Sequence, residues 1–155
     1  MASHPPITLD TLIRDNRDRL EIGLATDIET GPLFKDFAPL GVVQGRLKNW
    51  RLIAIRDLDA AETTIHLLGT RVIEGGWITS PVVAVSKDSL VAKTRHSIYE
   101  LVDRASGPPP THMLLAVARA VREWGLDAKY GLRCATASEI AATIDLDLYL
   151  DTEFE

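Results

Sequence analysis

The chain has 155 residues, of which 46% are hydrophobic and 25% are charged, and its net charge is −5. These values are typical of one globular domain with an apolar core, so we expect a single domain over residues 1–155. The one cysteine, Cys134, excludes an intramolecular disulfide and a cysteine-based zinc site. No signal-peptide pattern and no membrane-spanning apolar run is visible, which predicts a cytoplasmic protein.

The first forty residues predict one helix and one loop. Apolar residues recur at helical spacing over 8–22, with charged residues between them, which predicts an N-terminal helix ended by Gly23. Residues 26–40 contain one glycine and two prolines. This composition predicts a loop that packs on the body of the domain.

Between residues 41 and 102 the apolar period changes from about 3.6 to 2, which predicts a run of short strands. The predicted strands are Val42–Leu47, Trp50–Ile55, Thr63–Ile73, Trp77–Val85, Leu90–Thr94 and Ser97–Val102. Connections this short favour antiparallel neighbours. Such a meander must curl to bury one face, so we predict an antiparallel, strongly bent sheet or a small β-barrel, with a bulge or corner at Gly69.

The last third predicts two helices and one strand, which makes the fold class α+β. Residues 105–110, Ala-Ser-Gly-Pro-Pro-Pro, predict a stiff spacer that ends the sheet. A helix over 111–124, capped by Thr111, should pack its apolar face on the sheet. A short helix should begin at Ser138, and residues 145–151 alternate acidic and apolar residues as a C-terminal strand does.

The acidic C-terminal segment is the first candidate for a functional surface. The last twenty residues contain six carboxylates and no Lys or Arg, whereas residues 41–135 carry a net charge of +4. This segregation favours a partner with a basic surface, and we expect a non-enzymatic accessory or regulatory protein that binds another protein. The candidate partner-binding residues are Asp145, Asp147, Tyr149, Asp151, Glu153 and Glu155.

The same segment has two other interpretations. Outward carboxylates two residues apart on a strand lie roughly 6.6–6.8 Å from one another, close to the step between nucleic-acid phosphates. A phage- or plasmid-type inhibitor of the anti-CRISPR or anti-restriction kind would use such phosphate mimicry. The structural interpretation is an edge strand whose charges prevent edge-to-edge pairing.

A basic group in the middle of the chain supports a nucleic-acid alternative. Arg46, Lys48 and Arg51 lie beside Trp50, and small barrels that hold single strands combine such cations with stacking aromatic rings. That function requires an exposed Trp50. A core tryptophan flanked by solvated cations is the other interpretation.

We find no motif for catalysis, for a cofactor or for a metal. The phosphate-binding, dinucleotide-binding and serine-nucleophile patterns are missing, and the four histidines fall in separate segments without metal-ligand spacing. An enzyme would therefore need a site assembled from distant residues. The candidates for such a site are His66, His96 and Cys134.

Several segments between residues 67 and 125 resemble small uncharacterised bacterial proteins. In those proteins a TSPVV strand, here Thr79–Val83, precedes a TRSG-x-x-Y-x-L strand and a helix ended by Trp-Gly. Here His96-Ser97 replaces the Ser-Gly, and Trp124-Gly125 fits the helix end. The resemblance implies a hairpin turn between residues 94 and 98 and no activity.

Overall fold

The computed structural model describes residues 7–13, 19–38, 42–71, 75–136 and 138–140. Within these ranges the chain is α+β, with a seven-stranded sheet and short helices. The strands are β1 (Leu20–Leu24), β2 (Val42–Asp57), β3 (Glu62–Arg71), β4 (Gly75–Ile78), β5 (Val82–Val85), β6 (Val91–Thr94) and β7 (Ser97–Arg104). The helices are α1 (Asp27–Thr30), α2 (Thr111–Glu123) and α3 (Leu126–Tyr130), with 3-10 turns at Leu9–Thr11 and Gly31–Leu33.

The sheet stays open, so the small-barrel alternative is wrong. Its strand order is β4-β3-β2-β7-β6-β5, and β1 pairs with the end of β2. Every pair is antiparallel except β2–β7, which is parallel. Four strands separate β2 from β7 along the chain, which gives the connection the length that a parallel pair requires.

The described part of segment 8–22 does not form the predicted helix. Residues 9–11 form a 3-10 turn, and Leu20–Leu24 is a strand in which Gly23 is an interior residue. Leu20 and Ile22 are buried because β1 pairs with Ile53–Asp57 of β2, a contact that no local pattern reveals. Segment 26–40, predicted as a loop, contains α1 and a 3-10 turn.

Two predicted strands merge and another divides. Val42–Asp57 is one strand, interrupted by a register shift between Lys48 and Arg51 rather than by the predicted turn. The segment predicted as Trp77–Val85 splits into β4 and β5. Pro81 lies between them, and its nitrogen cannot donate to a ladder.

The sheet bends around a cluster of buried side chains that we call the inner core. β3 and β5 are four positions apart in the strand order, yet side chains from both belong to this cluster, which requires the sheet to fold over on itself. The members are Leu47, Trp50, Leu52, Ala54, Ile65, Leu67, Val82, Val85, Ala92, Tyr99 and Leu101.

The opposite face of β2 and β3 packs against α2, α3, β1 and the first 3-10 turn, and we call this second core the helix layer. α2 begins at Thr111 and Pro110 occupies the capping position, so Thr111 is the first helical residue rather than the cap. The buried face of α2 consists of Met113, Leu114, Ala116, Val117, Ala118, Ala120 and Val121. Among the described helices none is long and apolar enough to cross a membrane.

The described chain ends in a helical turn. Residues 138–140 are helical, and Thr136, rather than Ser138, exchanges capping hydrogen bonds with Glu139. The predicted C-terminal strand at 145–151 lies outside the described residues.

Candidate binding sites on the helix layer

A bulge in β2 decides which side chains reach the helix layer. On a regular strand, residues three apart point to opposite faces. Between Lys48 and Arg51 the register shifts by one residue, and Asn49 takes a left-handed φ of 49°. Lys48 therefore pairs with Thr70, and Arg51 pairs with Leu68. Thr70 and Leu68 lie on the same face of β3, so Lys48 and Arg51 also share one face.

The bulge or corner predicted at Gly69 is found on the neighbouring strand, because Gly69 of β3 lies opposite the bulge of β2. A Cβ atom at Gly69 would lie 3.1 Å from the carbonyl oxygen of Lys48 and 3.2 Å from the Cβ of Leu47. A side chain at position 69 would therefore push β3 and the bulged strand slightly apart, which glycine avoids.

The bulge also separates the members of the predicted nucleic-acid group. Trp50 turns into the inner core and is 1% exposed, so its ring offers no surface on which a base could stack. Arg46 points to solvent and forms an ion pair of 3.0 Å with Glu100. The expectation of a solvated Arg51 is wrong, because the bulge carries this side chain beneath α2 and leaves it 8% exposed.

Arg51 is a buried cation held by neutral atoms. Its Nε donates to the carbonyl oxygen of Gly107 over 3.2 Å, and its Nη1 lies 3.3 Å from both the carbonyl oxygen of Asn49 and the sulfur of Met113. Within the described ranges no carboxylate pairs with it. Burial lowers the pKa of Arg51, because the charged form loses solvation.

The proline spacer ties the start of α2 to this bulge. The amide of Ala105 donates to the carbonyl oxygen of Trp50 over 2.8 Å, and Gly107 accepts from Arg51. At the helix start, His112 Nε2 lies 3.4 Å from the hydroxyl of Thr70. The first turn of α2 contains no acidic residue, and Pro110 gives no side-chain cap.

His66 is buried in the helix layer, and both of its ring nitrogens are bonded. Nδ1 lies 2.9 Å from the carbonyl oxygen of Thr79 and Nε2 lies 2.8 Å from the hydroxyl of Thr64. Burial lowers the pKa of His66 below its ordinary value, and the bond to Thr79 only partly offsets this. The ring of Trp124 stacks over His66, with 5.1 Å between ring centroids.

A groove opens between α2 and β4, beside Trp124. Its volume is about 170 Å³, and Trp124, which is 41% exposed, forms one wall. The other lining residues are Gly76, Trp77, Ile78, Ala116, Arg119, Ala120 and Glu123. The groove is therefore lined mostly by small and apolar residues, and Arg119 and Glu123 are its two charged residues.

The outer edge of β4 borders the same groove. The amide of Thr79 donates to the carbonyl oxygen of Leu67. The next hydrogen-bonded pair along the two strands is therefore Trp77 with Gly69. Because hydrogen-bonded positions alternate along an antiparallel pair, the amide and carbonyl groups of Gly76 and Ile78 point away from β3. No described residue pairs with them on that side.

The residues considered for catalysis do not come together. Cys134 is half-buried beside Ile13, and burial raises the pKa of its thiol, which disfavours the reactive thiolate. His96 is exposed in the turn between β6 and β7. In the part of the chain that the structure describes, no group of three metal-ligand side chains occurs.

The sequence predicts neither Trp124 nor the β4 edge as a site, and it predicts Arg51 only as part of an exposed nucleic-acid group. The Trp-Gly helix end marked Trp124 as a structural signal only. The acidic candidates Asp145, Asp147, Tyr149, Asp151, Glu153 and Glu155 lie outside the described residues. A comparison with family models, curated proteins and solved structures finds no match to this chain, so the resemblance over residues 67–125 stays a prediction.

Proposed function

We propose that this chain is a non-enzymatic accessory or regulatory protein that binds an extended segment of another protein. The observation that supports this proposal best is the outer edge of β4, which no described residue pairs with, next to the exposed ring of Trp124. Gly76 and Ile78 offer backbone donors and acceptors at strand spacing, and an extended segment satisfies such groups by adding a strand to the sheet.

The groove would select the side chains of that segment. Alternate residues of an added strand point to the same face, so one side chain would enter the groove beside Trp124. The small floor residues Ala116 and Ala120 leave room for an apolar side chain. Exposed tryptophans at the edge of such pockets are frequent centres of binding energy.

The acidic C-terminal residues would add a second, electrostatic contact. Six carboxylates in the last twenty residues attract a partner with a basic surface and raise its association rate. We expect charge reversal at Asp145, Asp147, Asp151, Glu153 and Glu155 to slow association at low salt. If the partner is a nucleic-acid-handling complex, competition between this chain and DNA for that complex would support the alternative function, an inhibitor that mimics phosphates.

Site-specific photocrosslinking tests the proposal in cells of the native host. A photoreactive amino acid at position 124 should link the chain to a defined protein, whereas the same group at Leu58, an exposed apolar residue in the turn between β2 and β3, should not. The protein identified this way is then purified for affinity measurements.

The affinity measurements use two matched variants. Trp124→Ala should weaken binding at least tenfold, in line with the about 2 kcal/mol of an interface hot spot, and Leu58→Ala should leave it unchanged. Equal crosslinking at positions 58 and 124, or full affinity of Trp124→Ala, would contradict the proposal.

A further inference from the structure

No carboxylate among the described residues balances the charge of Arg51. The side chain is 8% exposed, and its three hydrogen-bond acceptors are two carbonyl oxygens and a thioether sulfur. Nη2 bonds to no described residue, and it is not fully buried, so solvent or a dissolved anion can reach it. A buried cation is costly unless an anion compensates it, so this arrangement leaves room for an anion that the described residues do not supply.

The position of Arg51 makes this imbalance larger. The guanidinium lies against Met113 in the first turn of α2, where the helix dipole places a partial positive charge. Two like charges therefore meet, and the first turn carries no Asp or Glu to separate them. An anion at this point would be stabilised by both the guanidinium and the helix.

Further donors border the same place. Lys48 and Thr70 are cross-strand partners that share the face of Arg51, because the bulge restores the alternation. His112 approaches the hydroxyl of Thr70 to 3.4 Å. The register and this contact thus place lysine, threonine, histidine and arginine side chains on one face of the sheet beside the start of α2.

We infer that Arg51, together with Lys48, Thr70 and His112, binds a phosphate-type oxyanion at the start of α2. A tetrahedral oxyanion accepts hydrogen bonds from several directions, as these donors require, and the planar guanidinium suits its paired oxygens. The phosphate is either free or part of a nucleotide or nucleic acid. This site does not depend on the β4 groove, so each can fail without the other.

Titration with inorganic phosphate tests the site on the full chain. Sodium phosphate should raise the Tm relative to sodium chloride at equal ionic strength, and should shift the NMR signals of the His112 ring. In Arg51→Met, which replaces the cation by an apolar chain, both effects should disappear. Arg46→Met removes an exposed cation that is paired with Glu100, and should keep them.

A second variant covers the case in which Arg51→Met does not fold. Lys48→Met should weaken phosphate binding severalfold, and unchanged binding in it would count against the site. A phosphate effect no larger than that of chloride, or an effect retained in Arg51→Met, would show an adventitious ion only and overturn the inference. Adenosine monophosphate and a short single-stranded DNA, tested in parallel, assign the source: tighter binding than inorganic phosphate indicates an ester, and equal binding indicates the free anion.

Discussion

The inner core and the helix layer use the two faces of the same strands in opposite ways. The inner core collects apolar side chains from five strands, and the indole nitrogen of Trp77 is the one buried side-chain polar atom without a partner among the described residues. The helix layer contains the buried Arg51 and His66, and it opens to solvent at Trp124. One face therefore mainly stabilises the fold, and the other carries the groups suited to recognition.

The bulge at Asn49 produces this difference. A slip of one residue moves every following side chain to the other face of a strand. Without the extra residue, Trp50 and Arg51 could not lie respectively in the inner core and beneath α2 while Lys48 keeps its partner Thr70.

The largest expected effect is the difference in stability loss between variants of Trp50 and of Trp124. Trp50→Ala should lower the free energy of unfolding by about 3–5 kcal/mol, because it empties a fully buried position of the inner core. Trp124→Ala should cost clearly less, since 41% of that side chain is already exposed. Urea denaturation measures both variants, and equal losses would contradict the division between the two layers.

The next effect tests the bulge itself. Gly69→Ala should destabilise the fold by about 1–3 kcal/mol, because its Cβ would press on the backbone of Lys48 at 3.1 Å. Gly31→Ala is the matched control, since nothing lies within 4 Å of its added Cβ. Thermal unfolding of the two variants compares them, and a neutral Gly69→Ala would mean that the strands are not this close.

The third effect concerns Arg56, which lies on the same strand as Arg51 but forms ion pairs with carboxylates. Arg56 donates to Glu29 and Glu21, and its bond to Glu29 holds the pKa of that carboxyl at about 2. A lowered pKa stabilises the fold above the unfolded value of 4.5, and this stabilisation is lost as the pH falls from 4.5 towards 2.

Glu29→Gln should therefore remove a stabilisation on the order of 1–2 kcal/mol at pH 7, allowing for solvent screening of the pair. Below pH 4.5 the free energy of unfolding of this variant should fall less steeply with pH than that of the original chain. Urea denaturation at a series of pH values measures this, and an unchanged pH profile would show that Glu29 is not the group responsible.

The smallest effect concerns Arg51 without phosphate. Arg51→Met should leave the free energy of unfolding in chloride within about 1 kcal/mol of the original, because replacing an uncompensated buried charge by an apolar side chain is often neutral or stabilising. A loss of several kcal/mol in chemical denaturation would indicate that the described neighbours already compensate this charge.

The sequence predicted the sheet better than the sites. Residues 42–104 alternate strongly enough to reveal most strands, and the run of prolines marks where the sheet ends. The N-terminal pattern of Leu9, Leu12, Ile13 and Leu20 fits a helix equally well, and only pairing with β2 makes Leu20–Leu24 a strand. Local periodicity cannot show such a pairing.

The candidate sites depend on tertiary contacts that leave no local signal. Arg51 is buried because Asn49 adopts a left-handed conformation and α2 crosses above it. Trp124 follows the last residue of α2, and its ring stacks on His66 while 41% of the residue stays exposed. The acidic segment was selected from charge alone, and its role stays a prediction.

Amide hydrogen exchange along β4, followed by NMR on the free chain, shows whether the outer edge of this strand is open. We expect the amides of Gly76 and Ile78 to exchange fast, while that of Trp77, bonded towards Gly69, is protected. Protection of Gly76 and Ile78 should then appear when the crosslinked partner is added. Equal protection of all three amides in the free chain would rule out an added strand, because the edge proposed for the partner would already be paired.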